Sequence, residues 1–176
     1  MRFLNECIAR QANAEDRCTE RIWEGRFRCK ALLDESAVLA CMAYVDLNPI
    51  RAGLADDLQG SDFTTVQRRL RSLEERPSEA AATLHPLAGT DSGAGPGIST
   101  AGYIEFVDWS GRMARPDKRV MIEEDGPPAL AAIRGSPDWW AGCVLRIEGV
   151  FGSAVGLPIT LKQHASATGR RWLRGL

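Results

Sequence analysis

The sequence predicts a mainly helical protein with one or two short strands, and three observations lead to that class. Apolar residues recur at helical spacing in several segments, most clearly Trp140, Cys143, Val144, Ile147 and Phe151. Helix start signals precede such segments, Asp34 in one case and Ser136-Pro137 in another. The strict alternation of a half-buried strand stands out at Phe27, Cys29 and Ala31, which interleave with Arg26, Arg28 and Lys30.

With 176 residues, 44% of them hydrophobic, the chain has enough material for one domain with a real core, or for a small domain and a tail. The net charge of −1 gives no overall sign of nucleic-acid binding. Charge is uneven, however. Arg17 to Lys30 holds five cations against two acids, and Lys162 to the C-terminus holds four cations and no acid. Such local stretches decide phosphate contact more than the total does. The five cysteines show no paired CxxC spacing. Free, mostly buried thiols in a reducing compartment are therefore expected, not a zinc site or a disulfide framework. No apolar run nears the ~20 residues of a membrane span, and no signal-peptide pattern opens the chain. A cytoplasmic protein without membrane association is expected.

In chain order, residues 3–13 read as a helix with Phe3, Leu4, Cys7 and Ile8 as its apolar stripe. The strand at 26–31 follows. Its cations form either a solvated outer face or, beside a nucleophile, a phosphate-binding ladder. Asp34 is a good N-cap, with Leu33 and Val38 at hydrophobic-staple positions. In the helix it opens, Val38, Cys41, Met42 and Val45 form the expected core stripe. Tyr44 lies about 120° from the centre of that stripe, among Ala37, Ala40 and Leu47, with room beside its hydroxyl. Pro49 disfavours helical geometry at Asn48 and ends the helix there, and Gly53 permits a positive-φ turn. Ser61 or Asp62 caps a helix running to about Glu75, with Arg68, Arg69 and Arg71 on its polar side.

Residues 77–99, rich in glycine, read as a flexible connector between regions 1–76 and 100–176. Ser99 or Thr100 then caps a helix carrying Tyr103, Phe106 and Val107 and stopped at Gly111, and residues 112–128 are irregular. The helix after Ser136-Pro137 carries the strongest periodicity, although Gly142 and Gly149 weaken it by roughly 1 kcal/mol each. A last helix runs from near Pro158 to Gly169, before the basic-aromatic tail Arg170-Arg171-Trp172-Leu173-Arg174.

Several chemistries find no motif: there is no phosphate-binding glycine loop, no HExxH helix and no GxSxG elbow. The two histidines, His85 and His164, read as surface residues. Asp34 and Glu35 are explained by capping and the helix dipole. Trp140 is explained by core packing, whereas Trp139 and Trp172 are open between packing and stacking on bases. Tyr44 is open between a packing role and attack on a phosphate.

The sequence around Tyr44 bears on that choice. Trp23-Glu24-Gly25-Arg26-Phe27-Arg28, Ala31-Leu32-Leu33-Asp34-Glu35 and Ala43-Tyr44-Val45-Asp46-Leu47-Asn48-Pro49-Ile50-Arg51-Ala52-Gly53-Leu54 closely resemble single-tyrosine HUH transposases, in particular the REP-associated tyrosine transposase branch. The likeness continues in Ser61-Asp62-Phe63-Thr64-Thr65-Val66-Gln67, in Phe106-Val107-Asp108-Trp109-Ser110-Gly111-Arg112 with Pro116-Asp117-Lys118-Arg119, and in Gly169-Arg170-Arg171-Trp172-Leu173.

The resemblance implies an α+β domain with an antiparallel sheet flanked by helices, of which 1–76 would be the C-terminal part and 100–176 a helical extension. It implies Tyr44 as the catalytic residue, attacking single-stranded or hairpin DNA to leave a 5′-phosphotyrosine bond and a free 3′-hydroxyl. It implies DNA contacts by Arg26, Arg28, Lys30, Asn48 and Arg51, and members of the family can act as dimers. It also implies magnesium or manganese held by two histidines flanking one hydrophobic residue. No His-x-His occurs in this sequence, so no metal ligand is expected from it, and the chain is expected to be the C-terminal portion of such a protein, inactive in strand transfer alone. Two rival expectations are a non-catalytic DNA-binding remnant or regulator and a helical protein-interaction module.

Overall fold

The computed structural model describes residues 2–23, 25, 28–84, 97–113, 127 and 136–175. Arg26, Phe27, His85 and the run Pro116-Asp117-Lys118-Arg119 lie outside them. Two compact units emerge, Met1–Lys30 and Ala31–Leu176. In chain order the elements are α1 (Arg2–Asp16), β1 (Ala31–Leu32), α2 (Glu35–Asp46), α3 (Asn48–Arg51), α4 (Thr65–Glu75), a 3₁₀ turn (Pro77–Ala81), α5 (Thr100–Met113), α6 (Pro137–Val150), β2 (Ala154–Val155) and α7 (Pro158–Ala167). The mainly helical class is what the periodicities imply.

The first unit is α1 and the turn after it. The indole of Trp23 donates to the carbonyl of Asn5 at 3.0 Å, and Asn13 Nδ2 donates to that of Glu20 at 3.1 Å, folding the chain back on the helix. Its stripe of Phe3, Leu4, Cys7 and Ile8 is exposed.

Of the described residues in the expected strand at 26–31, only the last, Ala31, is paired. Arg28, Cys29 and Lys30 have no strand geometry, and Cys29 is exposed where alternation would bury it. Pairing begins one residue later. Ala31 N–H donates to Ser153 O and Leu33 N–H to Val155 O, both at 2.9 Å, making β1 a parallel partner of β2 in register Ala31↔Ala154 and Leu32↔Val155. A strand pair is set by the partner backbone, and this partner lies over a hundred residues away.

Asp34 caps α2 as expected, accepting from Ala37 N at 2.8 Å. Its second oxygen accepts from Leu157 N at 2.8 Å and from the Thr160 hydroxyl at 2.6 Å, so one carboxylate serves the N-termini of α2 and α7. The crossing is tight. A Cβ on Gly156 would stand 2.6 Å from Thr160 Oγ1 and 3.1 Å from Asp34 Oδ2.

The core face of α2 differs from the expected stripe. Val45 is 56% exposed, and Val38, Cys41 and Met42 are only partly covered, whereas Ala37, Leu39, Ala40, Ala43 and Leu47 are buried. Alanines at 37, 40 and 43 leave α2 a flat side, and helix axes approach as closely as their contact residues permit. That side takes α6 as its main partner, with α5 also packed on α2. The expected apolar helix faces are buried: Tyr103, Phe106 and Val107 on α5, and Trp140, Cys143, Val144, Ile147 and Phe151 along α6. Phe106 and Trp140 meet at 4.3 Å between ring centroids, and Trp140 Nε1 donates to Ser110 Oγ at 2.9 Å. Trp139 is also buried, with its indole N–H on Gly156 O at 3.1 Å, which assigns it to packing. Helix α5 runs through Gly111 to Met113, with Leu47 Cδ2 against the glycine at 3.0 Å from a would-be Cβ.

Helix α4 is capped by Thr64, not by Ser61 or Asp62. Thr64 Oγ1 accepts from Gln67 N at 3.3 Å, while the Ser61 hydroxyl is buried and donates to Asp57 O at 2.8 Å. Arg68 and Arg71 are exposed, but Arg69 is half-buried with its guanidinium 5.5 Å from the Tyr103 ring centroid. Of the expected connector, residues 77–84 and 97–99 are among the described residues. The 3₁₀ turn packs on α4 and α5, and Thr83 and Ser99 form an antiparallel bridge leading into α5, capped by Ser99. Residues before 77 and after 99 thus contribute to the same core.

Asp46, at the end of α2, is 1% exposed. Its Oδ1 accepts from Thr65 N at 2.9 Å and Val66 N at 3.2 Å, and its Oδ2 accepts from the Tyr103 hydroxyl at 2.8 Å and the Thr65 hydroxyl at 2.8 Å. A buried charge is tolerated when donors and a helix N-terminus surround it. Asp46→Ala strands those donors and is expected to lower the unfolding free energy by about 3 kcal/mol or more, against about 2 kcal/mol for Tyr103→Phe, which removes one bond. Urea unfolding followed by circular dichroism measures both. Losses under about 1 kcal/mol for Asp46→Ala would show that the carboxylate is not the tie.

Candidate functional site

Tyr44 lies at the rim of the α2 face, half-buried against the core. One residue beyond α2, Leu47 caps the helix, and Asn48 opens the single-turn α3 with Pro49 in its first turn, where the missing N–H costs no helix bond, so Asn48 is helical although a proline follows it. That turn brings Arg51 back under Tyr44, with its guanidinium carbon 4.4 Å from the ring centroid. Gly53, at φ +70°, then ends the turn. Arg51 is further fixed from α6, where its Nη2 donates to Leu145 O at 2.9 Å. This carbonyl precedes Arg146, at which α6 leaves helical geometry (φ −144°, ψ 32°), and a side chain reaching into a helix ladder is a recognised cause of kinks. In the turn past the kink, Glu148 Oε1 accepts from the Tyr44 hydroxyl at 3.4 Å.

The site is thus a phenol with a guanidinium on its face and a carboxylate at its hydroxyl, all at the surface. Cation–π contact at such exposure contributes about 0.5–1 kcal/mol, enough to orient both groups. A guanidinium has five N–H donors in a planar fork, so the bond to Leu145 leaves others for a phosphate. The expected room beside Tyr44 is not an open pocket made by alanines. Those alanines are buried, and the neighbours of the hydroxyl come from α3 and α6.

Of the expected site residues, Tyr44 and Arg51 are brought together. Asn48 is exposed at the first position of α3. Arg28 and Lys30 belong to the first unit and form no cationic strand face. Glu148 was missed, since its partner lies 104 residues away and nothing local marks it. Asp46 was missed too, although its signal was present: a carboxylate three residues after Ala43 and seven after Leu39, on the stripe the structure buries.

The divalent cation implied by the resemblance does not fit the described residues. The carboxylate at the Tyr44 hydroxyl is that of Glu148, opposite an arginine, and no group of three or more His, Cys, Asp or Glu converges among the described residues. His164 is half-buried on α7. No helix among the described residues is long and apolar enough to cross a membrane. No family model, curated protein or solved structure matches this chain.

Burial mutes three of the other nucleophilic groups. Desolvation, with the charge and hydrogen bond of Asp46, pushes the Tyr103 phenol far up. Burial raises Cys41, and burial together with the Asp34 charge pushes Cys143 from 9.0 up to about 12. Cys7 and Cys29 are exposed. The folded state therefore keeps a proton on Cys143 that the unfolded chain loses. Its stabilising contribution is complete below pH 9.0 and declines as pH rises toward about 12. Urea midpoints are expected to fall above pH 9.0, less steeply in Cys143→Ala. At pH 8 a thiol reagent should label Cys7 and Cys29 long before Cys143. Labelling of Cys143 at an equal rate would contradict this account.

Proposed function

We propose that this chain is a transposase-family DNA-binding protein that takes the backbone of single-stranded DNA at the face where Tyr44 and Arg51 meet. The observation that carries the reading is the guanidinium of Arg51 held 4.4 Å from the Tyr44 ring centroid by its bond to Leu145. The family assignment comes from the sequence runs on either side of that pair. An arginine fixed against a tyrosine at the surface offers a fork for phosphate beside an aromatic edge and a hydroxyl.

The reading assigns binding, not strand cleavage, to these residues acting alone. A phenol becomes a nucleophile when a base or a metal activates it, and no metal-ligand set stands beside Tyr44 among the described residues. Glu148 accepts the hydroxyl proton's hydrogen bond but repels the phosphate that would be attacked. It acts as a brake on the site.

Binding of a fluorescein-labelled single strand, followed by anisotropy at increasing salt, tests the reading. Affinity is expected to fall steeply with salt, and Arg51→Ala is expected to lower the log–log slope by about 0.7. Tyr44→Phe keeps its affinity, and Glu148→Gln gains up to about fivefold. With magnesium and a hairpin-tipped strand, no covalent adduct is expected. An adduct formed by the native chain and absent in Tyr44→Phe would overturn the binding-only assignment. No binding at low salt would favour a protein-interaction module.

A further inference from the structure

A second surface, on different residues, is built where the chain ends. Helix α7 closes at Gly169 (φ +67°), and the tail turns back along the segment after α6. Arg170 Nη1 donates to Ser153 Oγ at 2.7 Å, and Gly152 N–H donates to Arg174 O at 3.1 Å. Leu173 packs on the core, and Gly175 lies so close to α7 that a Cβ there would stand 2.6 Å from Leu161 Cδ1. The backbone is therefore tied down on both sides of Trp172. Yet the Trp172 side chain remains 74% exposed.

Between the tail and α7 runs an open groove of about 460 Å³. Pro158, Leu161 and Ala165 give it an apolar lining, and Lys162, Arg171 and Trp172 contribute cations and an indole. No acid occurs from Lys162 onward. The volume is within the range of sites for small ligands, about 300–1,000 Å³. An indole held out in water on an anchored backbone, in a groove that two cations also line, suits a planar ring attached to a phosphate. Part of the freedom whose loss weakens surface stacking, that of the backbone, has already been removed by folding.

We propose that this groove is a second contact for single-stranded DNA, with a base stacked on Trp172 and its phosphate held by Lys162 and Arg171. The choice of DNA as ligand rests on the proposed function, while the site itself rests on the groove. Base-on-aromatic stacking tolerates any base, so the contact adds affinity without sequence preference.

The test uses the full chain and an oligothymidine of about 12 nucleotides, a length such sites accommodate, in low salt. Trp172→Ala is expected to weaken binding by roughly 5- to 100-fold, the range of one lost stacking contact, and Trp172→Phe to restore most of it. Lys162→Ala with Arg171→Ala is expected to lower the salt slope by about 1.4. Circular dichroism checks that the folds are unchanged. If Trp172→Ala binds as tightly as the native chain while Arg51→Ala weakens, the groove proposal fails and the Tyr44 face stands. If Trp172→Ala weakens and Arg51→Ala does not, the groove stands and the Tyr44 reading fails. A native chain that does not bind the oligothymidine overturns both.

Discussion

The carboxylate of Asp46 is surrounded by donors from two other helices, and the second unit is organised around it. Two backbone N–H groups at the start of α4 and the Tyr103 hydroxyl from α5 converge on a side chain carried by α2. At the end of its own helix a negative charge is unfavourable, because that end already carries a negative partial charge. The N-terminus of α4 reverses the sign of the local field. The position is stable only when α2 and α4 meet in this arrangement, so one buried charge specifies how three helices assemble. Hydrophobic contact alone would tolerate sliding by a turn. This bond pattern does not.

The surface site follows from that arrangement. With Asp46 and Leu47 turned inward, Tyr44 is carried to the rim, and the turn of α3 returns Arg51 beneath it. The same rotation that buries the carboxylate half-exposes the phenol. Tyr44 belongs to both the packing and the surface cluster, with its ring against the core and its hydroxyl toward Glu148.

Devices completed within a few residues were legible in the sequence. Asp34, Ser99 and Ser136 cap the helices they were expected to cap, and α2 ends within two residues of the expected Asn48, although Asn48 itself opens the next helical turn. The stripe of α6 was legible because large apolar residues at helical spacing leave little choice of face. The face of α2 was misjudged because hydrophobicity ranks Val45 above Ala43, whereas close helix approach favours the alanine. The strand was misplaced because alternation reports local pattern and not the partner, which is Ala154–Val155. The neighbours of Tyr44 were half legible. Arg51 lies seven residues further along the chain, but Glu148 arrives from α6 through tertiary packing alone.

Helix α2 also acts as a ruler. It carries a capping aspartate at one end, Asp34, shared with α7, and another at the other end, Asp46, shared with α4. Each residue of helix advances about 1.5 Å and rotates about 100°. The number of residues between the two carboxylates therefore fixes both the spacing and the angle at which α7 and α4 are presented. A conservative swap of side chains along α2 leaves that measurement intact. A single inserted or deleted residue, however well it suits a helix, would satisfy one end and swing the other away, so the exposed positions of this stretch are free to vary in composition while its length is not.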